Sequence, residues 1–547
     1  MNETANLSEW KRDTKLMDTR QQALQYHENR GYFHIKEKIL FVLYKIYTTF
    51  ALTINNIIMK KFLVLALLTL CMVANAQVKR PKLVVGVVVD QMRWDYLYYY
   101  YDEYGNDGLK RLLDEGYSCQ NTMIPYIPTV TAIGHSSIYT GSVPAMTGIL
   151  GNNFYIKGKE VYCCEDENVK SVGSDSKEGQ MSPHRLLAST IGDELKLATN
   201  FKSKVIGVAL KDRAAILPAG HSADAAYWWD TSAGHFVSST FYMKELPKWV
   251  TDFNKQNSTK PGFDIKTSDQ GVTMTFKMAE AALENERLGQ GSATDMLAIS
   301  VSSTDAIGHA YSTRGKENHD VYLQLDKDIA QFMKVLDEKV GKGNYLLFLS
   351  ADHGGSHNPN FMRSHRLPAG GFEGWNVAKN VNEVLQKQFG TKARLILGEN
   401  SLRIFLDHES IENAGLKLDE VKAAAKKEFE KYENVAFVVD YDNVAAQSIP
   451  QPIRERIING YSRERGGDLL LITNPGWIDA SNATNYKGTT HGLWNPDDSH
   501  IPLIFMGWNI NHGETSKPTN MTDIAPTICS MLHIQMPNAC VGNSIFE

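Results

Sequence analysis

Several features are scarce or missing. The six cysteines (Cys71, Cys119, Cys163, Cys164, Cys529 and Cys540) form no CxxC pair, which argues against a zinc ribbon or a thioredoxin-like site. No Lys/Arg-rich block stands out. The 57 Lys+Arg are nearly balanced by 62 Asp+Glu, a formal net charge of −5, so nothing suggests a nucleic-acid surface. The stretch from Ile124 to Asn153 is crowded with threonines and serines, yet holds no GxSxG elbow. His135 adjoins Ser136 there, but adjacency alone does not make a nucleophile–base pair. There is no internal repeat and no low-complexity segment. The 547 residues allow one large α/β domain or a few ordinary ones, and 43% hydrophobic with 22% charged residues is a globular composition.

One feature is present in an unexpected place. From Met59 the chain reads MKKFLVLALLTLCMVANAQ. Two lysines precede an apolar run from Phe62 to Val73, and Ala74-Asn75-Ala76 is an A-x-A cleavage site, so 59–76 reads as a secretory signal peptide. Residues 1–58 are then expected to be an upstream extension from start-site choice. The alternative is that the long form is made and the apolar run anchors it. Leu70 before Cys71 fits a lipoprotein signal poorly. The segment Ile39–Ile58 is apolar but interrupted by Lys45 and two asparagines, and is not expected to span a membrane. The mature chain would start at Gln77, periplasmic or secreted, with no stable membrane partner. Without Cys71 five cysteines remain, so at least one thiol is free or pairs between chains.

Beyond Gln77, KLVVGVVVDQMRWDYL carries an unbroken β-branched run ending in Asp90, the pattern of a strand buried on both faces of a parallel sheet. KVIGVAL before Lys211, DMLAISVSSTD leading to Asp305 and NYLLFLSADHGG leading to Asp352 repeat it. DLLLIT and IPLIFMG are two later strands, and helical segments such as HDVYLQLDKDIAQFMKVLDEKVG alternate with them. The expected fold is α/β, with a doubly wound, mostly parallel central sheet and helices on both faces. Residues 232–291 and 369–465 read as insertions, the second a small strand–helix–strand cap.

Polar residues gather at the ends of these strands, where open α/β sheets bind their ligands: Asp90, Asp305 with His309, Asp352 with His353, and later His491. Any one alone is an ordinary turn former or a satisfied histidine. Asp305 and His309 would share a face on a helical turn. Together, three carboxylates and three imidazoles suit zinc, and six ligands suit two neighbouring ions; three histidines argue against magnesium. A metal ion can activate a hydroxyl nucleophile without a side-chain base, but composition does not choose between Thr129, Thr131, Ser136 and Ser137.

The ordered segments VVVDQMRWDYL, PTVTAIGHSSIYTGSVPAMTGILGNNFY, LKDR, SSTDAIGHAYS, SADHGG and THG, closed by TDIAPTICSMLHIQMP, resemble the alkaline phosphatase superfamily. They are most similar to its threonine-nucleophile, PafA-like bacterial branch, related to the nucleotide pyrophosphatase/phosphodiesterases. The resemblance covers nearly all of Lys82 to Glu547. It implies a two-zinc phosphate monoesterase acting on small molecules through a phosphothreonine intermediate. Thr131 would be the nucleophile. Asp90, Asp352 and His353 would ligate the zinc that holds it, and Asp305, His309 and His491 the other zinc. Asn152 would bind a phosphoryl oxygen. Lys211 and Arg213 would supply the positive charge that suits a dianionic monoester. A phosphodiesterase is the alternative; it needs an apolar or nucleotide pocket, for which composition offers Tyr155, Trp228 and Trp229. A sulfatase lacks its C/S-x-P-x-R context. A non-catalytic, zinc-stabilised periplasmic binding protein would lack part of the set.

Overall fold

The computed structural model describes residues 39–47 and 79–546. The expected leader at 59–76, and all of the expected 1–58 extension except a helical 39–47, lie outside the described residues. No helix among the described residues is long and apolar enough to cross a membrane.

Four strands form the centre of the main sheet: β1 (Leu83–Val89), β2 (Val205–Ala209), β3 (Asp295–Val301) and β4 (Tyr345–Ser350). Every residue in them is buried. That is why they read as unbroken apolar runs: layers on both faces leave no solvent side for alternation. They lie side by side and parallel in the order β4-β1-β3-β2, and Ala225–Asp230 continues the parallel run beside β2. Antiparallel strands close both flanks, Leu503–Gly507 against β4 and His235–Ser239 against Ala225–Asp230. The sheet has ten strands in all. The mostly parallel α/β expectation holds, with IPLIFMG as the antiparallel neighbour of β4.

Two sequence boundaries need correction. Residues 232–291 are not an appendage. They supply the strand His235–Ser239 and the helix Gln270–Asn285, whose Val272, Phe276, Ala279 and Leu283 belong to the main core. Polar turns on either side disguised elements that pack on the sheet. DLLLIT, conversely, is not in the main sheet. Leu469–Thr473 pairs with Arg403–Leu406 and Val435–Asp440 in a second, four-stranded sheet with its own apolar core, so this unit runs past residue 465. An all-apolar strand looks the same in either buried sheet.

Candidate active site

The rim of the central strands gathers the expected residues. Asp90 follows β1 directly, and Lys211 lies two residues beyond β2. Asp305 sits in the first turn of a helix that follows β3, Ser303–Tyr311, and His309 in its last turn. Asp352 and His353 follow β4. Chain order is thus rearranged into the rim order Asp352, Asp90, Asp305, Lys211. His491 comes from a distant loop, its Nδ1 held 2.7 Å from the Thr129 carbonyl.

Thr131 opens the helix α1 (Thr131–Thr140) that crosses this rim. Gly134 lets α1 approach: a Cβ there would lie 2.3 Å from the Asp352 carbonyl oxygen. The two candidate threonines separate clearly. Thr129 Oγ1 donates to the Leu493 carbonyl at 3.0 Å and accepts from Gly492 N at 3.1 Å. No hydrogen bond engages the Thr131 hydroxyl among the described residues. Ser136 Oγ turns back onto the Ile133 carbonyl, 2.9 Å away, and Ser137 is buried.

The ligand atoms converge. Those of Asp305, His309 and His491 lie within 4.8 Å of one another, as do those of Asp90, Asp305 and His353. Asp352 joins the second group, with its Oδ2 3.5 Å from His353 Nε2, while Asp90 Oδ1 is 3.4 Å from the same nitrogen. The His353 and His491 rings stack at 3.6 Å. Three buried atoms here have no hydrogen-bond partner among the described residues: Asp90 Oδ1, Asp352 Oδ2 and His353 Nε2. Buried polar atoms left unsatisfied are costly, and these three aim at one place. Carboxylate oxygens and an imidazole nitrogen are the donors a zinc ion takes, so the residues present fit the ion the resemblance implies.

The electrostatics agree. Burial pushes the Asp90 carboxyl well above its usual range, and the Asp305 and Asp352 carboxylates push the same way. Burial acts in that direction on Asp305 too, but His309 and Lys211 outweigh it and hold that carboxyl well below normal. Burial also drives His353 and His491 down, keeping both imidazoles neutral, the form that binds metals. His309 is raised by Asp305. Lys211 Nζ lies 2.5 Å from Asp90 and 2.6 Å from Asp305; these carboxylates raise it despite its burial. One ammonium cannot balance three carboxylates in a buried site.

Asn152 Oδ1 accepts from Ala132 N at 3.0 Å, in the first turn of α1. That leaves the amide Nδ2 without a protein acceptor among the described residues. Arg213 is fixed by the Tyr162 hydroxyl at 3.0 Å, and Tyr162 donates to Asp212 at 2.7 Å.

Several supporting residues escaped sequence reasoning. Gln91 holds the two ligand groups together: its Nε2 donates to Asp305 at 2.7 Å and its N–H to Asp352 at 3.2 Å. Its φ of 63° is a left-handed conformation unusual for glutamine. His135 sits 3.3 Å from Asp352 Oδ2 and 2.8 Å from Ser300 Oγ, so it serves the rim and not Ser136. Nothing local in the sequence marks these contacts. Trp228 and Trp229, offered as pocket aromatics, are core residues instead: both are buried in Ala225–Asp230, and Trp228 Nε1 donates to the Glu178 carbonyl. Composition could not tell a pocket aromatic from a core one, and that strand is buried along its whole length.

Residues 84–494 match the Type I phosphodiesterase / nucleotide pyrophosphatase family, and the chain belongs to it. Within that class the likeness is more particular. The chain is 45% identical over 522 residues to alkaline phosphatase PafA of Elizabethkingia meningoseptica, covering 86% of this chain and 95% of that protein. The crystal structure of wild-type PafA superposes with a TM-score of 0.82 over 86% of this chain and 99% of the other. A relative named calcium-transporting ATPase, from Myroides odoratus, is 48% identical over 527 residues, 87% of this chain and 96% of that one. The resemblance to the alkaline phosphatase superfamily and its PafA-like branch is borne out.

Proposed function

We propose that this chain is a zinc-dependent alkaline phosphatase that hydrolyses small-molecule phosphate monoesters through a phosphothreonine at Thr131. The observation that carries the reading is the convergence of the unsatisfied Asp90, Asp352 and His353 atoms beside the start of α1. Asp90, Asp352 and His353 would hold one zinc, and Asp305, His309 and His491 the other. Bound zinc supplies positive charge that lowers the proton affinity of a hydroxyl and stabilises oxygen anions.

The chain's own residues do the rest. Thr131 Oγ1 forms the new O–P bond as the bond to the leaving alkoxide breaks; its proton passes to solvent and the alkoxide takes one from solvent. Water then releases phosphate from Thr131. The first turn of α1 turns its positive end to the phosphoryl anion. Asn152 Nδ2 donates to one phosphoryl oxygen, and Lys211 and Arg213 bring fixed cations to the others. A monoester carries more negative charge than a diester, which favours it in a site with two such cations. The leader at 59–76 supports export, and translation from Met59 is expected to retain both secretion and activity.

The family also includes phosphodiesterases by its description, so the test compares the two substrates. The chain from Gln77 with zinc is assayed on p-nitrophenyl phosphate and bis-p-nitrophenyl phosphate, beside Thr131→Ala and an EDTA-treated sample. Monoester preference lost in both controls is expected. A diester preference would reassign the reaction and leave Lys211 and Arg213 without their role.

A further inference from the structure

The second sheet contributes none of the residues just described, yet it reaches the site. Arg403, on the strand Arg403–Leu406, is fully buried. Burial pushes its guanidinium pKa down, and no ion pair forms with it among the described residues. Its donors meet uncharged acceptors: Nη1 to the Leu150 carbonyl at 2.6 Å, Nε to the Asn400 carbonyl at 3.2 Å, and Nη2 to Asn400 Oδ1 at 3.0 Å. Tyr441 and Glu399 act on the guanidinium from beyond ion-pair distance, and burial pushes the Glu399 carboxyl itself up to about 7. A buried cation without a directly paired charge is destabilising. Stability alone gives no reason to keep one.

Its acceptor gives the reason. Leu150 lies two residues before Asn152, and the chain between them is pressed against the guanidinium: a Cβ on Gly151 would lie 2.8 Å from Arg403 Nη2. A second arginine from the same part of the chain grips the start of this turn, with Arg465 Nη1 donating to the Gly148 carbonyl at 2.7 Å. At the far end, the Asn152 carbonyl accepts from Cys163 N at 2.9 Å. The turn from Gly148 to Asn152 is therefore hung from its carbonyls, and what it presents is the Asn152 side chain on the first turn of α1.

We infer that Arg403 is a positioning residue for phosphoryl-oxygen binding, acting from the second sheet through the Leu150 carbonyl to set the Asn152 amide. This rests on the role proposed above for Asn152. It also gives the 369–465 segment a function other than covering the site: it is a buttress for the oxygen-binding turn. Lysine would not replace Arg403, because the three donors used here leave from three different nitrogens of a planar fork, whereas those of an ammonium leave from one.

The test is a double-mutant cycle on the zinc-loaded chain from Gln77, read as kcat/KM for p-nitrophenyl phosphate and as inhibition by inorganic phosphate. Arg403→Met should lower kcat/KM by about tenfold and weaken phosphate inhibition similarly, with zinc content unchanged. Because residues that act through one hydrogen-bonded turn couple, it should cost less than about twofold when added to Asn152→Ala. Arg403→Lys should not restore activity. The inference is overturned if Arg403→Met costs the same factor in both backgrounds, or if zinc content falls with activity. If Asn152→Ala alone is silent, the role of Asn152 fails and the inference falls with it. Where Arg403→Met does not yield folded protein, Asn400→Ala, which removes the acceptor that orients Nη2, takes its place in the cycle: coupling to Asn152→Ala supports the inference, and equal cost in both backgrounds overturns it.

Discussion

The two halves of the site are closed to different degrees. Asp90, Asp352 and His353 are wholly inaccessible. They lie between α1, β1 and β4 and are backed by His135 on Asp352. In the other half Asp305 is buried and the His491 side chain is only 8% exposed, but the His309 side chain is 40% exposed. His309 and His491 are held through their Nδ1 atoms by the carbonyls of Thr489 and Thr129, both in loops. The difference suits the roles proposed above for the two halves. A nucleophile must be fixed and kept from competing water, whereas a leaving group and an attacking water need a way in and out.

This contrast can be broken by mutation. The largest effect is expected at Thr131: Thr131→Ala should lower kcat/KM for p-nitrophenyl phosphate by about a millionfold, as removal of a nucleophile does elsewhere. Near-normal turnover would remove it from the chemistry. Next comes the closed half against the open one. Asp352→Ala should abolish one equivalent of bound zinc, beyond rescue by added metal. His309→Ala should lose roughly a hundredfold in activity, since an open site tolerates a missing ligand better, and recover in part with excess zinc. Equal rescue of both would erase the distinction.

Behind the ligands, His135→Ala should weaken zinc binding by about 10–100-fold, the usual cost of losing an outer-shell partner, measured by competition with a chelator. It should affect the closed half alone. Lys211→Ala should reduce monoester turnover more than diester turnover, so the ratio of the two rates falls.

The smallest effect concerns Asp498, which ties the open half together. Its carboxylate accepts from Leu493 N at 2.7 Å and from Ser356 Oγ at 2.8 Å. Burial raises its pKa from 3.8 to about 6. A raised folded pKa means the folded state binds this proton more tightly. The resulting stability is fully present below the unfolded value and is lost as pH rises through about 6. Asp498→Asn should flatten that part of the Tm profile between roughly pH 4 and 6. An unchanged slope would place the titration elsewhere.

Much of the fold was legible because burial on both faces writes an unmistakable signal. β1, β3 and β4 each end in an apolar run followed by an acidic residue, and the rim of a parallel sheet is where such residues meet. The same signal misled at DLLLIT, since a run of apolar residues says that a strand is buried but not in which sheet. It also hid the polar turns of 232–291, which look detached in sequence while the helix between them packs on the core.

At the level of single residues, the chain's own order of motifs determined the class of chemistry: carboxylates and imidazoles at strand ends, a hydroxyl-rich loop and a basic pair after β2. Ligand types and i,i+4 spacing are local, so a sequence can carry them. Which threonine is free was decided only by tertiary structure, because Thr129 is claimed by residues more than three hundred and sixty positions away. The neighbour order β4-β1-β3-β2, the bridging of the two halves by Gln91 and the grip of Arg403 on Leu150 were decided there as well. Each is a contact between segments remote in the chain, and its energy exists only once the sheets have brought them within hydrogen-bonding distance.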